Sequence, residues 1–194
     1  MMVYSKLCWA FRLFVLSIFY KNINFPGYLG KPIVLLGMKN VRIGRRVRIF
    51  PNSRIEVHGD NAYININDNV TIGQGFHATS GGELNIGSDT VITGNVVVTN
   101  IDHEYKNIEL SVLEQSNIIS TTSIGEGCFI GFGAIIQAGT SLGKHCVVGA
   151  NSVVRGEFPD YCVIVGSPAK IVKRYNIDSS SWERTNSKGE FIKH

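Results

Sequence analysis

Large aliphatic side chains recur every six residues along most of this 194-residue chain. This period belongs neither to an α-helix, with about 3.6 residues per turn, nor to a simple strand, with a period of about two. In the last run a small residue stands two positions before each aliphatic one, and glycine often follows, as at Gly125, Gly131 and Gly149. We interpret each hexad as a short strand with two inward side chains and a turn that glycine permits. The aliphatic positions are Ile43, Ile49, Ile55, Ile66, Ile72, Ala78, Leu84, Ile86, Ile92, Val98, Ile124, Ile130, Ile136, Leu142, Val148 and Val154.

Three such hexads, eighteen residues, would close a triangular coil whose successive turns pair as parallel strands about 4.8 Å apart. Residues eighteen positions apart should then stack, as Cys128 and Cys146 would. The cysteines, which also include Cys8 and Cys162, show no CxxC spacing. We therefore predict that all four are small, buried, reduced side chains rather than metal ligands or a redox pair.

The composition favours one ordered, sheet-rich domain. Hydrophobic residues make up 44% of the chain and charged residues 18%, which excludes a disordered protein, and the 21 glycines indicate many turns. A net charge of +4, with no aromatic-and-basic module, does not indicate nucleic acid, although it favours an anionic ligand.

The N-terminal stretch "SKLCWAFRLFVLSIFY" is the most apolar segment, and Arg12 interrupts it. Its uncharged run is shorter than the roughly 20 residues of a membrane span, and no small-residue cleavage site follows. We expect a helix that packs within the protein's own oligomer, because it is apolar nearly all round; peripheral contact with a membrane surface is the alternative. The segment "VRIGRRVRIF" contains four basic residues, Arg42, Arg45, Arg46 and Arg48. We expect them on a solvated outer face; the alternative is that they bind an anionic acceptor or a lipid headgroup.

The six-residue period stops at Asp102 and His103 and resumes at Ile124. The later run, "SIGEGCFIGFGAIIQAGTSLGKHCVVGANSVV", is followed by "VIVGSPAKIVKRY". With these motifs the chain resembles, over residues 41–174, the hexapeptide-repeat acyltransferase family. The resemblance implies an all-β fold, a left-handed parallel β-helix with one long extruded loop, an N-terminal apolar helix and a short C-terminal helix or tail. The expected parts are an N-terminal segment (1–32), a catalytic β-helix (33–165, loop about 104–121) and a cofactor-binding C-terminal segment (166–194).

The resemblance also implies an enzyme that transfers acetyl from acetyl-CoA, without a metal, to a sugar hydroxyl in surface polysaccharide synthesis. It assigns His103 as general base in a direct transfer, since an imidazole can accept the hydroxyl proton near neutrality. Asp102, Glu104, Asn100 or a backbone carbonyl could orient its ring, and Asn100 is also a candidate acceptor contact. The expected protein is a homotrimer in the cytoplasm, or peripheral at the inner face of the membrane.

In the family, coenzyme A lies in a groove between two neighbouring prisms. By correspondence its contacts here are Phe129, Gly131, Phe132, Gly133, Ala134, Gly149, Ala150, Gly166, Ser167, Pro168, Ala169, Lys170 and Arg174. Lys170, Lys173 and Arg174 would form a positive cluster for the phosphates, and backbone N–H groups around Gly131 would face the thioester carbonyl. Relatives often have tryptophan at the position of Phe129.

Two other functions remain as alternatives, and a third is disfavoured by the sequence. N-acetylation of an amino sugar or nucleotide-amino sugar shares the fold, and a non-catalytic β-helix scaffold would not need a histidine at the loop base. A metal hydratase on this fold needs two histidines five residues apart, and no two histidines here have that spacing. His58, His77, His145 and His194 are assigned no chemistry.

Overall fold

A computed structural model describes residues 2–192, so His194 lies outside the described residues. The chain begins with helix α1, Met2–Phe19, and continues into a three-faced prism of parallel strands. Two 3-10 helices, Met38–Asn40 and Val112–Glu114, lie outside the strand ladders. Within the described residues the fold is therefore mostly β, as predicted.

Each face of the prism is a stack of short parallel strands, one from each coil. Face 1 contains β1 (Gly27–Leu29), β4 (Val47–Ile49), β7 (Thr71–Ile72), β10 (Val91–Ile92), β15 (Phe129–Ile130), β18 (Val147–Val148) and β21 (Cys162–Gly166). Face 2 contains β2 (Val34–Leu36), β5 (Arg54–Val57), β8 (His77–Ser80), β11 (Val97–Thr99), β16 (Ile135–Ile136) and β19 (Val153–Val154). Face 3 contains β3 (Val41–Ile43), β6 (Tyr63–Ile66), β9 (Glu83–Ile86), β14 (Thr122–Ile124), β17 (Ser141–Leu142) and β20 (Glu157–Phe158). Two antiparallel strands, β22 (Ala169–Asn176) and β23 (Ser181–Arg184), extend the sheet of face 1. A separate two-stranded sheet contains β12 (Ile101–His103) and β13 (Asn117–Ile119).

The core is a set of inward ladders that runs the length of the prism. Every aliphatic position of the six-residue pattern is at most 3% exposed, which confirms the inward assignment. The small residues two positions earlier, including Cys128, Ala134 and Cys146, are equally buried. Full burial of each large aliphatic side chain contributes about 1.5–3 kcal/mol, so the repeated pattern supplies the main stabilising term.

Coil length varies, and the variation lies at one corner, between face 2 and face 3. Six residues separate Ile86 from Ile92, and six separate Ile92 from Val98, so the other two corners keep the regular spacing. Across the variable corner the separation is eight residues from Ala78 to Ile86 and twenty-six from Val98 to Ile124. The extra residues leave the prism at this corner, while the parallel pairing on either side continues.

The predicted eighteen-residue coil is therefore correct only for part of the chain. Ile136 stacks on Val154, eighteen residues later. Ile55, by contrast, stacks on Ala78, twenty-three residues later. The general prediction of one coil length was wrong, because residues that bulge from a corner do not disturb the ladder of inward side chains.

Helix α1 closes the N-terminal end of the prism. Leu13 is buried, the ring of Trp9 lies 5.8 Å from that of Tyr28 and 5.9 Å from that of Phe50, and Arg12 Nη1 donates to the Leu29 carbonyl at 2.8 Å. No helix in the described part of the chain is long and apolar enough to cross a membrane.

The cysteine prediction holds for three of the four thiols. Cys128, Cys146 and Cys162 are free and buried on the inner side of face 1, as expected for an inward ladder of small residues. Cys8 is exposed, so the prediction was wrong there. Its position on the outer side of α1 explains the difference.

The C-terminal segment forms an antiparallel hairpin, not the short helix or tail that was expected. Strand β22 pairs with β21 on one side and with β23 on the other. The ring of Trp182 packs edge-on against Tyr175, with 5.7 Å between centroids. Face 1 would otherwise end in unpaired backbone groups, and the hairpin satisfies them by adding strands to that edge.

Candidate active site

The break in the six-residue pattern is a β-hairpin that projects from the variable corner. We call residues 100–121 the excursion. Its strands β12 and β13 pair antiparallel, with Ile101 opposite Ile119 and His103 opposite Asn117. The base of the hairpin packs on Gly81 and Gly82, where an added Cβ would lie 2.7 and 2.6 Å from side-chain carbons of Ile119. The glycine pair therefore provides the surface on which the excursion is seated.

Asn100 holds this base from inside the prism. Its side chain is fully buried, its Nδ2 donates to Ser80 Oγ at 2.9 Å, and its Oδ1 accepts the Gly81 backbone N–H at 2.8 Å. The expected contact between Asn100 and the acceptor does not fit this geometry, because both polar ends of the amide are bonded within the chain. Asn100 is likewise unsuited to orient His103.

His103 is the last residue of β12, and its side chain is exposed in the single chain. Asp102 Oδ1 accepts the backbone N–H of His103 at 2.9 Å, and Asp102 Oδ2 lies 3.4 Å from Arg155 Nη2. Glu104 accepts the backbone N–H groups of Tyr105 and Lys106 at 3.0 and 3.1 Å. The bond from Lys106, then that from Tyr105, lowers the pKa of Glu104.

Both carboxylates beside His103 are thus engaged with groups other than the imidazole. Within residues 2–192 the imidazole of His103 has no hydrogen-bond partner. Arg155, which was not expected from the sequence, ties the base of the excursion to the corner two coils further along the prism. No sequence signal links Asp102 to Arg155, because the ion pair depends on coil stacking.

The residues expected to contact the cofactor follow the corner between face 1 and face 2. We call this edge the glycine corner and define it by residues 131–133, 149–151 and 165–170. At Gly131 an added Cβ would lie 2.6 Å from the backbone nitrogen of Ala150, so successive coils approach too closely for any other residue. Gly133 has φ +70°, in the left-handed region that favours glycine.

The backbone N–H groups around Gly131 fall into two sets, those bonded within the ladder and those left free. Gly131 N–H donates to Val148 O at 2.8 Å, and Gly149 N–H donates to Ile164 O at 2.9 Å. These amides belong to the ladder and cannot face a ligand. In the part of the chain that the structure describes, the N–H groups of Phe132 and Ala150, at the tips of the corner, make no hydrogen bond.

The turn between β21 and β22 completes the glycine corner. The Gly166 N–H donates to Ser152 Oγ at 3.1 Å, which seats the turn on the coil that contains Ala150. Ser167, Pro168 and Lys170 are exposed there, whereas the side chain of Ala169 is buried. Ala134 is buried in the same way, so neither alanine offers its side chain to a ligand.

Arg174 does not join Lys170 and Lys173 in the positive cluster expected for the phosphates. Arg174 Nη1 donates to the carbonyl of Gly189 at 3.3 Å, and its guanidinium lies 6.0 Å from the ring centroid of Phe191. Its contacts with the C-terminal segment make a phosphate contact unfavourable. Lys170 and Lys173 remain exposed.

A polar depression of about 350 Å³ continues the glycine corner toward the N-terminal coils. Gly94 and Asn95 form the coil next to Phe132, and the Phe132 ring is within 3.2 Å of a Cβ built on Gly94. The lining residues of the depression are Ile33, Asn52, Arg54, Gln74, Gly75, Phe76, His77 and Asn95. This group could not be predicted from the sequence, because its members come from four separate coils.

Charged residues on face 2 adjoin this depression. Arg54 Nη2 lies 2.9 Å from Oε1 of the buried Glu56. The hydrogen bond from Arg54 lowers the pKa of Glu56 and outweighs burial, which would raise it. His77 Nε2 is 2.9 Å from Thr79 Oγ1. Burial, and then the charge of Arg54, lowers the pKa of His77, so its ring is biased toward the neutral form.

The glycine corner and the excursion lie on opposite edges of face 2. Four residues separate Gly133 from Gln137 along one coil, a span of about 13 Å in an extended strand. His103 and the glycine corner of the same chain are therefore not brought together by the prism alone. In residues 2–192 no group of three or more His, Cys, Asp or Glu side chains is arranged to hold a metal ion.

Comparisons with known proteins agree with this architecture. Residues 121–155 match the model of the hexapeptide repeat of succinyl-transferase. The chain is 31% identical over 181 residues to WbbJ of Escherichia coli K12, assigned as a lipopolysaccharide biosynthesis O-acetyl transferase; the match covers 86% of this chain and 87% of WbbJ.

Two solved structures show the same fold at lower identity. AntD, an N-acyltransferase from Bacillus cereus in complex with dTDP and 3-hydroxybutyryl-CoA, superposes with a TM-score of 0.72 at 17% identity, over 87% of this chain and 90% of AntD. A galactoside acetyltransferase in complex with coenzyme A gives 0.56 at 21% identity, over 68% and 63% of the two chains.

The hexad ladders, the match of the repeat and the similarity to WbbJ define the class of protein. This chain belongs to the hexapeptide-repeat acyltransferase family and is an acyltransferase with a left-handed parallel β-helix. The resemblance noted in the sequence is thereby confirmed.

Proposed function

We propose that this enzyme transfers acetyl from acetyl-CoA to a hydroxyl group of a sugar in surface polysaccharide synthesis. The observation that carries the proposal is the similarity to WbbJ along nearly the whole of both chains. It favours O-acetylation over N-acetylation, because the likeness to the N-acyltransferase AntD is at 17% identity and supports the fold alone. The chain also shares its fold with a galactoside acetyltransferase, an enzyme whose name indicates a sugar acceptor.

The glycine corner fits coenzyme A. The pantetheine arm contains amide groups that need backbone partners, and the free N–H groups of Phe132 and Ala150 are available along one exposed edge. Lys170, and Lys173 further along β22, supply cations for phosphates at the end of this edge. When bound, acetyl-CoA supplies the activated acetyl thioester. The flanking glycines exclude side chains that would block its approach.

His103 is assigned as general base, holding the proton that the acceptor hydroxyl loses as it attacks. Because His103 and the glycine corner of one chain lie on opposite edges of face 2, the site requires a second subunit that places its own corner opposite the imidazole. We therefore assign a homotrimer with three sites between subunits. Asp102 and Arg155 position the strand that carries His103.

The depression beside Phe132 is the candidate acceptor site. Its asparagine, glutamine, arginine and histidine side chains match the donors and acceptors of sugar hydroxyls. The division of the chain follows the same argument: residues 33–165 hold the base and the acceptor, and residues 166–194 complete the cofactor site. Residues 1–32 have a separate role.

The test is release of free thiol from acetyl-CoA by purified protein with a panel of sugars, including pairs that differ only by OH or NH₂ at one carbon. Under the proposal the hydroxyl member of a pair is consumed. His103→Ala should lower kcat by roughly 10²–10⁴ while leaving acetyl-CoA binding intact. His145→Ala is a matched control, since that exposed ring stacks on Tyr161 instead. Equal loss in both variants, or normal turnover of His103→Ala, would remove His103 from the mechanism.

The shared site has its own test. Light scattering should give three times the monomer mass. Subunits with His103→Ala, mixed after unfolding with subunits in which Ala150→Trp obstructs the glycine corner, should regain activity that neither parent has. Absence of recovery in mixed trimers would contradict a site built from two subunits.

A further inference from the structure

The charges of this chain are separated along the sequence. Residues 1–55 contain ten lysine and arginine residues and no aspartate or glutamate, and the first acidic residue is Glu56. The remaining residues carry nine basic and fifteen acidic side chains, so the net charge of +4 conceals a strongly basic N-terminal part. The ten basic residues are Lys6, Arg12, Lys21, Lys31, Lys39, Arg42, Arg45, Arg46, Arg48 and Arg54.

Helix α1 lies within this basic part and exposes apolar side chains. One side packs on the prism through Leu13, while the opposite side faces outward. Between 45% and 76% of each of six large side chains is exposed there: Tyr4, Leu7, Phe11, Phe14, Ile18 and Phe19. Isolated exposed apolar residues are ordinary, but a continuous helical face of this kind indicates an interaction surface.

Basic side chains lie near both ends of this apolar face. Lys6 lies on the helix itself, 6.0 Å from the ring centroid of Tyr28, and Lys21 follows the helix end by two residues. Phe25 and Pro26 link the outer face of α1 to two of the arginines, Arg45 and Arg46. The ring of Phe25 packs on Phe14 with 5.7 Å between centroids, and the next residue, Pro26, lines one depression with Arg45, Arg46 and Asp68. The carboxylate of Asp68 accepts the backbone N–H of Arg45 at 2.8 Å, and within residues 2–192 it does not form an ion pair with either arginine side chain.

These charges are largely unneutralised by the protein. Among the ten basic residues, the ion pairs within residues 2–192 are Lys39 with Asp60 and Arg54 with Glu56. Lys6, Lys21, Arg45 and Arg46 are exposed. The surface therefore combines an apolar strip with a positive rim, and its complement is apolar in the middle and negative around it.

We propose that the outer face of α1 docks on a bilayer that contains anionic lipid. The apolar side chains would enter the boundary between headgroups and acyl chains, and the basic rim would contact lipid phosphates. At about 1.5 Å per residue the eighteen-residue helix is about 27 Å long and lies parallel to the surface. A second copy is the poorer occupant, because joining two such faces brings like charges together without neutralising them.

The test uses the full-length protein and flotation with vesicles of phosphatidylcholine alone or with about one-third phosphatidylglycerol. The protein should float only with the anionic vesicles, and the bound fraction should fall between about 0.05 and 0.5 M salt as screening shortens the range of the charges. Binding to neither vesicle, or equally to both at every salt concentration, would overturn the proposal. These measurements need no variant and no enzymatic activity.

Two variants separate the apolar and the basic contributions. Arg45→Gln with Arg46→Gln should lower the partition coefficient roughly 30-fold, because each charge near the membrane surface contributes a factor of about five. Phe11→Ser with Ile18→Ser should lower it by at least roughly tenfold through lost burial. The matched controls are Arg184→Gln with Lys188→Gln at the C-terminal end, and Ile108→Ser with Leu113→Ser, two highly exposed residues of the excursion.

The outcomes distinguish a lipid bilayer from a second subunit as the partner of the outer face of α1. Loss in the test variants but not in the controls, with normal circular dichroism, supports docking on the bilayer. Should Phe11→Ser with Ile18→Ser change the oligomeric mass in light scattering while vesicle binding stays the same, the helix face is a contact between subunits and the proposal fails. Equal loss in test and control variants also overturns it.

Discussion

Replacement of Asn100 by alanine tests how the excursion is held. The amide of Asn100 joins the corner of one coil to that of the neighbouring coil, through bonds of 2.9 Å to Ser80 Oγ and 2.8 Å from the Gly81 N–H. Its truncation removes two hydrogen bonds, each contributing about 0.5–1.5 kcal/mol, and leaves the Gly81 N–H without an acceptor. Two such bonds together contribute about 1–3 kcal/mol. Because Gly81 is only half-buried, we take the lower part of this range and expect a loss of about 1–2 kcal/mol in the free energy of unfolding.

Urea unfolding of wild type and Asn100→Ala at one protein concentration measures this loss, and steady-state kinetics measures its functional effect. The base of the excursion also carries His103, so kcat should fall while the KM for the acyl donor, which binds at the other edge of face 2, changes little. Asn65→Ala is the matched control. Asn65 Nδ2 donates to Asn85 Oδ1 at 2.7 Å on the outer side of face 3, and its loss should cost less than about 1 kcal/mol. If Asn100→Ala is no less stable than Asn65→Ala, Asn100 does not hold the excursion.

Three further predictions concern other parts of the molecule. Gly131→Ala should destabilise by about 1–3 kcal/mol, because its Cβ meets the Ala150 backbone at 2.6 Å. Gly94→Ala meets the Phe132 ring edge at 3.2 Å and should cost much less; equal melting temperatures would refute the close approach of coils at Gly131. A thiol reagent should titrate only Cys8 in the native protein and all four cysteines in denaturant, since three are buried; more than one fast thiol contradicts the inward ladder. Burial, and then Arg54, lowers the pKa of His77, so below about pH 6.5 the unfolded chain takes up this proton before the folded one and stability falls with pH. His77→Gln should therefore reduce the difference in urea midpoints between about pH 7.5 and 5.5, and an unchanged difference would show that His77 does not contribute.

The inward ladders could be predicted because the period of the sequence is the period of the structure. Ile130 on β15 and Cys128 just before that strand are both buried, as their spacing indicates. Coil length could not be predicted in the same way. The residues that lengthen a coil, such as Gly81 and Gly82, leave the prism at a corner and follow no period of their own.

Of the candidate site, the sequence indicated where the excursion begins and which edge is rich in glycine. The partners of the named residues were not predictable, because they depend on contacts between distant positions. Asn100 bonds to Gly81 across nineteen residues, and Asp102 pairs with Arg155. Arg174 illustrates the same point, since its guanidinium contacts a C-terminal segment whose polar composition indicated a tail.

The confinement of variable length to the corner between face 2 and face 3 has a consequence for how such enzymes diversify. The strand ladders continue whether the connection at this corner spans eight residues or twenty-six. Segments of different length can therefore be inserted at this corner. Exchange of the segment between Asn100 and Ser120 for that of a relative should alter acceptor preference without refolding the solenoid, since Ser120 N–H already closes onto Asn100 O at 3.0 Å. A new activity can thus arise by replacement of this segment while the β-helix stays the same.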